Sequence, residues 1–177
     1  MMDPAPCLVE LRSGDAVWIR PIRSTDAAEL QRAFALMSEE SQNSRFLTGT
    51  PRLTDAQAAY FTDLDHVDHE AYVAHSPEDE TYIIGVARFI RYPSAPDDAE
   101  LAITVADSWH DRGLGTVLVR LLGERAIEVG VQRFRVEMMA DNGAVLHLLR
   151  SAGLTRETVT DDITSGYIEL GPQGSSD

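Results

Sequence analysis

Apolar and polar positions along the chain set the first expectations. Val17, Ile19 and Ile22 mark an extended stretch that reads as a first strand. Ser24, Thr25 and Asp26 just after it are N-cap side chains for a helix predicted to run to about Met37, with another short helical stretch following. Thr54 and Gln57 have the spacing of a capping box, so residues 55–64 read as a helix entering the polar run DLDHVDHE, 63–70. The period then shortens to two. EAYVAH (70–75) and ETYIIGVARFIR (80–91) carry strand-type residues around SPED, which predicts a hairpin.

YPSAPDD reads as the next turn, and AELAITVA (99–106) alternates Leu101, Ile103 and Val105 as a strand. Helical spacing returns with Leu114, Val117, Leu118, Leu121, Leu122 and Ala126, and Gly130 is placed to stop that helix. QRFRVEMM (132–139) is a strand, NGAVLHLLRSAG (142–153) a short helix closed by Gly153, and TSGYIEL a last strand. There is no internal repeat. The order predicts a mixed α/β domain around a mainly antiparallel sheet with one strand-helix-strand crossover. It spans 16–170, between a flexible N-terminus (1–15) and a flexible tail (171–177, GPQGSSD).

Composition narrows the class. The chain has 177 residues, 44% of them hydrophobic and 25% charged, which suits one globular domain with a sizeable core. No stretch approaches a membrane span, and MMDPAPC lacks the form of a signal peptide, so no membrane partner and a cytoplasmic location are expected. Cys7 is the single cysteine and reads as an incidental thiol. A net charge of -14 argues against nucleic-acid binding, since phosphate backbones call for basic patches. All 15 basic residues are Arg, so the chain has no lysine amine of its own to modify.

The densest candidate chemistry is ADSWHDRGLGTVLVRLL, 106–122, where a strand turns into an amphipathic helix. The first N–H groups of a helix have no partner within it and attract anions. Gly113 and Gly115 let a phosphate approach the main chain, Arg112 adds charge and Thr116 a hydroxyl. A dinucleotide fingerprint would want a third glycine where Leu118 stands, and a P-loop needs a lysine. A tight turn with no ligand is the remaining alternative for the motif by itself.

With its flanks, strand 99–106, helix 114–129, strand 132–139 and 142–153, the motif resembles the GNAT superfamily of N-acetyltransferases. The pyrophosphate motif of that family, Gln/Arg-x-x-Gly-x-Gly/Ala, stands here as His110-Asp111-Arg112-Gly113-Leu114-Gly115. His110 departs from the pattern at the first position, keeping a donor whose charge titrates near neutral pH. The resemblance covers 16–170 and is strongest from 99 to 154. It implies a GNAT fold: a mainly antiparallel mixed sheet of six to seven strands, about four helices and a splayed strand pair. It further implies acetyl-CoA as acyl donor. The main chain of Ile103, Thr104 and Val105 would pair with the pantetheine arm. Arg112, Gly113, Leu114, Gly115 and Thr116, with His110, would grip the pyrophosphate, and Asn142 would contact the arm while also suiting an N-cap.

An alkyl ammonium must lose a proton before it can attack a thioester, so a base is needed. Glu100 lies five residues before Val105, about 16 Å of strand, comparable with an extended pantetheine arm. In AELAITV it also resembles the base glutamate of bacterial protein lysine acetyltransferases, the closest likeness within the superfamily. SRFLTGTPRLT (44–54) followed by DLDHVDHEAYVA looks like their acceptor-side region. The tyrosine that supplies the general acid in the family is replaced here by Leu149; Tyr167 and His147 are weaker substitutes. The run 63–70 allows metal binding, but without a second His/Cys cluster at ligand spacing a solvated loop is preferred.

Acids from that run beside Glu100 would favour a cationic amine. The resulting expectation is an N-acetyltransferase acting on a primary amine, either a protein lysine or a small molecule such as a polyamine or aminoglycoside, by direct attack in a ternary complex. A catalytically weak CoA-binding module is the alternative outside enzymology. Either is expected as a monomer or homodimer.

Overall fold

The computed structural model describes residues 6–37 and 52–171. The helical stretch expected after Met37, residues 44–51 of SRFLTGTPRLT and residues 172–177 of the tail lie outside them. Eight strands form one sheet: β1 (Cys7–Glu10), β2 (Ala16–Pro21), β3 (His69–Ser76), β4 (Asp79–Tyr92), β5 (Ala95–Val105), β6 (Arg133–Met139), β7 (Leu154–Thr160) and β8 (Ile163–Glu169). Their spatial order is β1-β2-β3-β4-β5-β6-β8-β7, antiparallel throughout except β5 with β6. The mixed, mainly antiparallel sheet and the single parallel crossover expected from the sequence are both present, with one strand more than the upper expectation.

The two strands that the sequence did not betray are β1 and β7, and each lacks a readable pattern. β1 has four residues, too few to show alternation, and Leu8 is exposed. It nevertheless pairs with β2 from Cys7↔Ile19 to Glu10↔Ala16, so part of the segment expected to be a loose N-terminus is a sheet edge. β7 exposes every residue after Leu154, and its ladder with β8 breaks between Thr155 and Thr158, where Arg156 takes a left-handed φ of 54°. The β4–β5 reversal also differs: Tyr92 pairs with Ala95, leaving only Pro93 and Ser94 of YPSAPDD in the turn.

Four α-helices are described: α1 (Ala27–Ala35), α2 (Asp55–Thr62), α3 (Leu114–Glu128) and α4 (Gly143–Ser151). The capping box at α2 forms as its spacing predicts, with Gln57 N–H donating to Thr54 Oγ1 at 3.2 Å and Thr54 N–H donating to Gln57 Oε1 at 2.9 Å. Gly130 and Gly153 end α3 and α4 with φ of 88° and 96°. Two apolar clusters use the two faces of the sheet. One joins Phe89, Leu101 and Phe134 to Leu118 and Leu122 of α3 and Leu149 of α4; the other joins Val73, Ile83 and Val86 to Leu30 and Phe34 of α1. α3 crosses β4 at Gly85, where a Cβ would lie 3.0 Å from Leu118 Cδ1 and 3.1 Å from Leu114 Cδ2. That close approach fixes the start of α3 above the middle of β4 and the end of β5.

The polar run 63–70 is a structural device. The Asp65 carboxylate accepts N–H groups from Val67, Asp68 and His69, each at 2.9 Å. Glu70 is 2% exposed and meets His66 Nδ1 at 2.8 Å and Arg125 of α3 at 3.4 Å, while Asp68 pairs with Arg91 at 2.8 Å. A buried carboxylate needs such partners, and these tie the loop to α3. No group of three or more His, Cys, Asp or Glu side chains that could hold a metal occurs among the described residues.

His69, half-buried with Arg88 Nη1 at 3.3 Å and the Tyr60 ring at 5.4 Å, has its pKa lowered to about 4, by burial first and by Arg88 next. The unfolded chain takes up this proton near pH 6.5, so between about 6.5 and 4 it binds more protons than the native state, and stability falls as pH drops. His75, also lowered mainly by burial, acts in the same sense. Denaturant midpoints of His69→Gln are therefore expected to decline less steeply than wild type across that window. An identical pH slope in both proteins would contradict the assignment.

Candidate active site

The parallel pairing of β5 with β6 is short. It runs from Asp98↔Arg133 to Glu100↔Arg135 and stops. β5 continues beside β4 as far as Gly85↔Val105, and β6 continues beside β8 as far as Met139↔Ile163, so the two strands part after Glu100. Backbone groups alternate sides along a strand. Gln132 N–H donates to Asp97 O toward β6, and Ala106 N–H donates to Ile84 O toward β4. By that alternation the main chains of Leu101, Ile103 and Val105 face the gap, and that of Thr104 faces β4, opposite Val86. Of the three residues expected to offer main-chain contacts, Ile103 and Val105 have main-chain groups that face the gap. Thr104 instead lines a cleft with its side chain, and Leu101 takes its place on the free edge. Counting in twos back from Val105 would have found Leu101.

At the far end of this edge the chain makes a 3₁₀ turn over Asp107–Trp109 and enters α3 at Gly113. Asp111 and Gly113 both have left-handed φ, 59° and 92°. The first intrahelical bond is Val117 N–H to Gly113 O at 3.2 Å, so the N–H groups of Leu114, Gly115 and Thr116 have no acceptor inside the helix. Gly113 offers no side-chain cap and the first turn carries no acid. The three donors and the helix dipole thus meet at one point.

The glycines differ in role. Gly113 supplies the left-handed cap. A Cβ on Gly115 would lie 2.8 Å from Leu148 Cδ2 and 3.4 Å from Ile103 Cδ1, so its missing side chain lets α3 approach α4 and β5. Arg112 pairs with Asp15 of the β1–β2 turn at 3.0 Å, with its guanidinium carbon 4.9 Å from the Trp109 ring centre. Asp15 is held below the usual carboxylate range by the Ser13 hydroxyl and by Arg112. His110 Nε2 lies 3.0 Å from Val105 O, on the free edge itself and not among the helix N–H groups. Asn142 caps α4, its Oδ1 accepting Val145 N–H at 3.1 Å.

Glu100 stands where β5 and β6 part. It is exposed and makes no hydrogen bond or ion pair with another described residue. Its neighbour on the same face, Asp98, is 2% exposed and takes both adjacent cations: Arg133 at 2.7 Å, and Arg135 through a short contact. Arg135 is flanked by Tyr92 at 4.9 Å and Tyr167 at 5.8 Å. Glu100, Ala102 and Thr104 share one strand face. Thr104 lines a cleft with Leu30, Phe34, Phe61, Val86 and Arg88, so Glu100 shares the face of that cleft. Among the described residues the cleft lining contains no carboxylate; of the acids expected there, Asp65 serves its own loop, Glu70 meets Arg125 of α3 and Asp68 meets Arg91 of β4. Leu149 is 3% exposed in the core and His147 lies outside on α4.

The whole suits an extended, amide-bearing ligand with a phosphate end, its reactive end reaching a carboxylate beside an apolar cleft. The GNAT acetyltransferase domain family matches residues 16–155. The acetyltransferase Pat of Mycolicibacterium smegmatis is 31% identical over 152 residues, 84% of this chain, and this chain spans 44% of its length. An acetyltransferase of Pseudomonas aeruginosa is 28% identical over 155 residues, covering 87% of this chain and 83% of its own. The crystal structure of the GNAT domain of S. lividans PAT superimposes with a TM-score of 0.85 at 28% identity, over 93% of this chain and 97% of that one. With a splayed parallel pair, an uncapped helix after a glycine turn, and this match over most of its length, the chain belongs to the GNAT acetyltransferase family.

Proposed function

We propose that the protein transfers the acetyl group of acetyl-CoA to a primary amine, in first place a protein lysine, by direct attack with Glu100 as general base. One observation carries this reading: β5 offers a hydrogen-bonding edge, free of any strand partner from Leu101 to the Val105 N–H, that begins at an unpaired carboxylate and ends at an uncapped helix N-terminus. When bound, acetyl-CoA supplies an activated thioester. The edge groups of Leu101, Ile103 and Val105 hold its arm in the manner of an added strand. Gly113 supplies the left-handed cap, and the N–H groups of Leu114, Gly115 and Thr116 hold the diphosphate. Asn142 spends its carbonyl oxygen on the α4 cap and keeps its amide N–H groups for the arm.

Glu100 is suited to take the ammonium proton, directly or through water, because Asp98 keeps Arg133 and Arg135 occupied. An arginine paired to Glu100 would lower its basicity and occupy the oxygens that must take the proton. With the position seven residues after Asn142 filled by a buried leucine, the thiolate takes its proton from solvent. The cleft favours lysine over a polyamine: its described lining is apolar around Leu30, Phe34 and Phe61. Such a lining accommodates a lysine stem and disfavours a chain of positive charges.

Glu100→Gln is expected to lower kcat on a lysine peptide by about 10²- to 10⁴-fold, leave acetyl-CoA affinity unchanged, and remove the acidic limb of the pH–rate profile. Wild-type kcat in this variant across the pH range would exclude the role. In a matched panel, kcat/KM for lysine peptides is expected to exceed that for spermidine by at least about tenfold. The reverse order would exclude the lysine preference.

A further inference from the structure

The charge at the phosphate turn is not where the motif puts it. Arg112, the motif cation, is paired to Asp15 at 3.0 Å, so the carboxylate offsets its charge before any ligand arrives. A second arginine, Arg12 from the β1–β2 turn, reaches the same turn from another direction. Its Nη2 donates to Asp111 O at 3.0 Å, and its stem lies so close to Gly113 that a Cβ there would be 2.9 Å from Arg12 Cγ. Arg12 is exposed and has no carboxylate partner among the described residues. A guanidinium has five N–H donors, and the Asp111 carbonyl uses one. Arg12 and Asp15 both precede residue 16, where the family match begins.

We infer that Arg12 is a cofactor-binding residue of this chain, its guanidinium contacting the diphosphate of CoA beside the N–H groups of Leu114, Gly115 and Thr116. The inference rests on the acetyl-CoA reading above. The β1–β2 hairpin thereby acts as one wall of the diphosphate site: Asp15 holds Arg112 against Trp109, and Arg12 provides the uncompensated charge. In a chain of net charge -14, an unpaired cation at this point also offsets long-range repulsion of an anionic ligand.

Calorimetry with CoA, dephospho-CoA and S-acetylpantetheine, at two salt concentrations, tests this in wild type, Arg12→Gln and Arg12→Lys. Glutamine is neutral and keeps a polar, shorter side chain; lysine retains the charge. Arg12→Gln is expected to weaken CoA and dephospho-CoA equally, by about tenfold, with a shallower salt dependence, and to leave S-acetylpantetheine unchanged. Arg12→Lys is expected to recover most of the loss. Unchanged CoA affinity in Arg12→Gln overturns the inference, as does equal weakening of all three ligands, which marks a merely structural residue. A loss confined to CoA overturns the diphosphate assignment in favour of the 3′-phosphate. A wild-type protein that binds no CoA refutes the acetyl-CoA reading itself.

Discussion

The structure depends on where one hydrogen-bonded ladder ends. β5 and β6 pair for three residues and then separate, although each continues beside its other neighbour. Unpaired backbone groups in a sheet interior are costly unless water or a ligand satisfies them. A gap of this kind is kept open by packing. Leu148 of α4 and Ile103 of β5 both close on Gly115 of α3, and Leu149 lies in the core, so α4 is seated at the mouth of the gap. α3 in turn is fixed by its crossing at Gly85 and by the ties from Arg125 to Glu70 and to the His66 carbonyl. The crossover helix, its exposed N–H groups and the free edge of β5 are therefore one rigid arrangement.

Electrostatics around the parting strands follow a single logic, in which carboxylates are assigned to arginines so that particular groups stay uncommitted. Asp98 collects Arg133 and Arg135 and leaves Glu100 alone at the apex. Asp15 collects Arg112 and leaves Arg12 at the phosphate turn. Glu70 and Asp68 collect Arg125 and Arg91, and so commit two acids of the 63–70 run to α3 and β4. The acids of these pairs hold elements in place, and among the described residues the cleft beside Thr104 is lined mainly by apolar side chains.

Elements with a long periodic pattern were legible in the sequence: the β3–β4 hairpin, the α2 capping box, α3 with its stop at Gly130, and the motif from His110 to Gly115. β1 and β7 were not, because one is too short to alternate and the other is exposed along nearly its whole length. At the site, the spacing from Glu100 to Val105 located both ends of the free edge. It did not distinguish Leu101 from Thr104, since that choice depends on which strand β4 claims. Gly115 was read as room for phosphate, whereas Leu148 and Ile103 are the atoms that need its missing side chain. Arg12 was invisible for a different reason: it is 99 residues from Asp111, and only the fold brings the two turns together.

The central claim is that the open edge of β5 and the start of α3 form one binding surface. Amide hydrogen exchange resolved to single residues, with and without acetyl-CoA, tests it most directly. The account predicts that acetyl-CoA slows exchange at Leu101, Ile103 or Val105 on the edge and at Leu114, Gly115 and Thr116 at the helix start, with Thr104 unchanged because β4 already holds it. Binding that leaves both groups of amides exchanging at their free rates would contradict it.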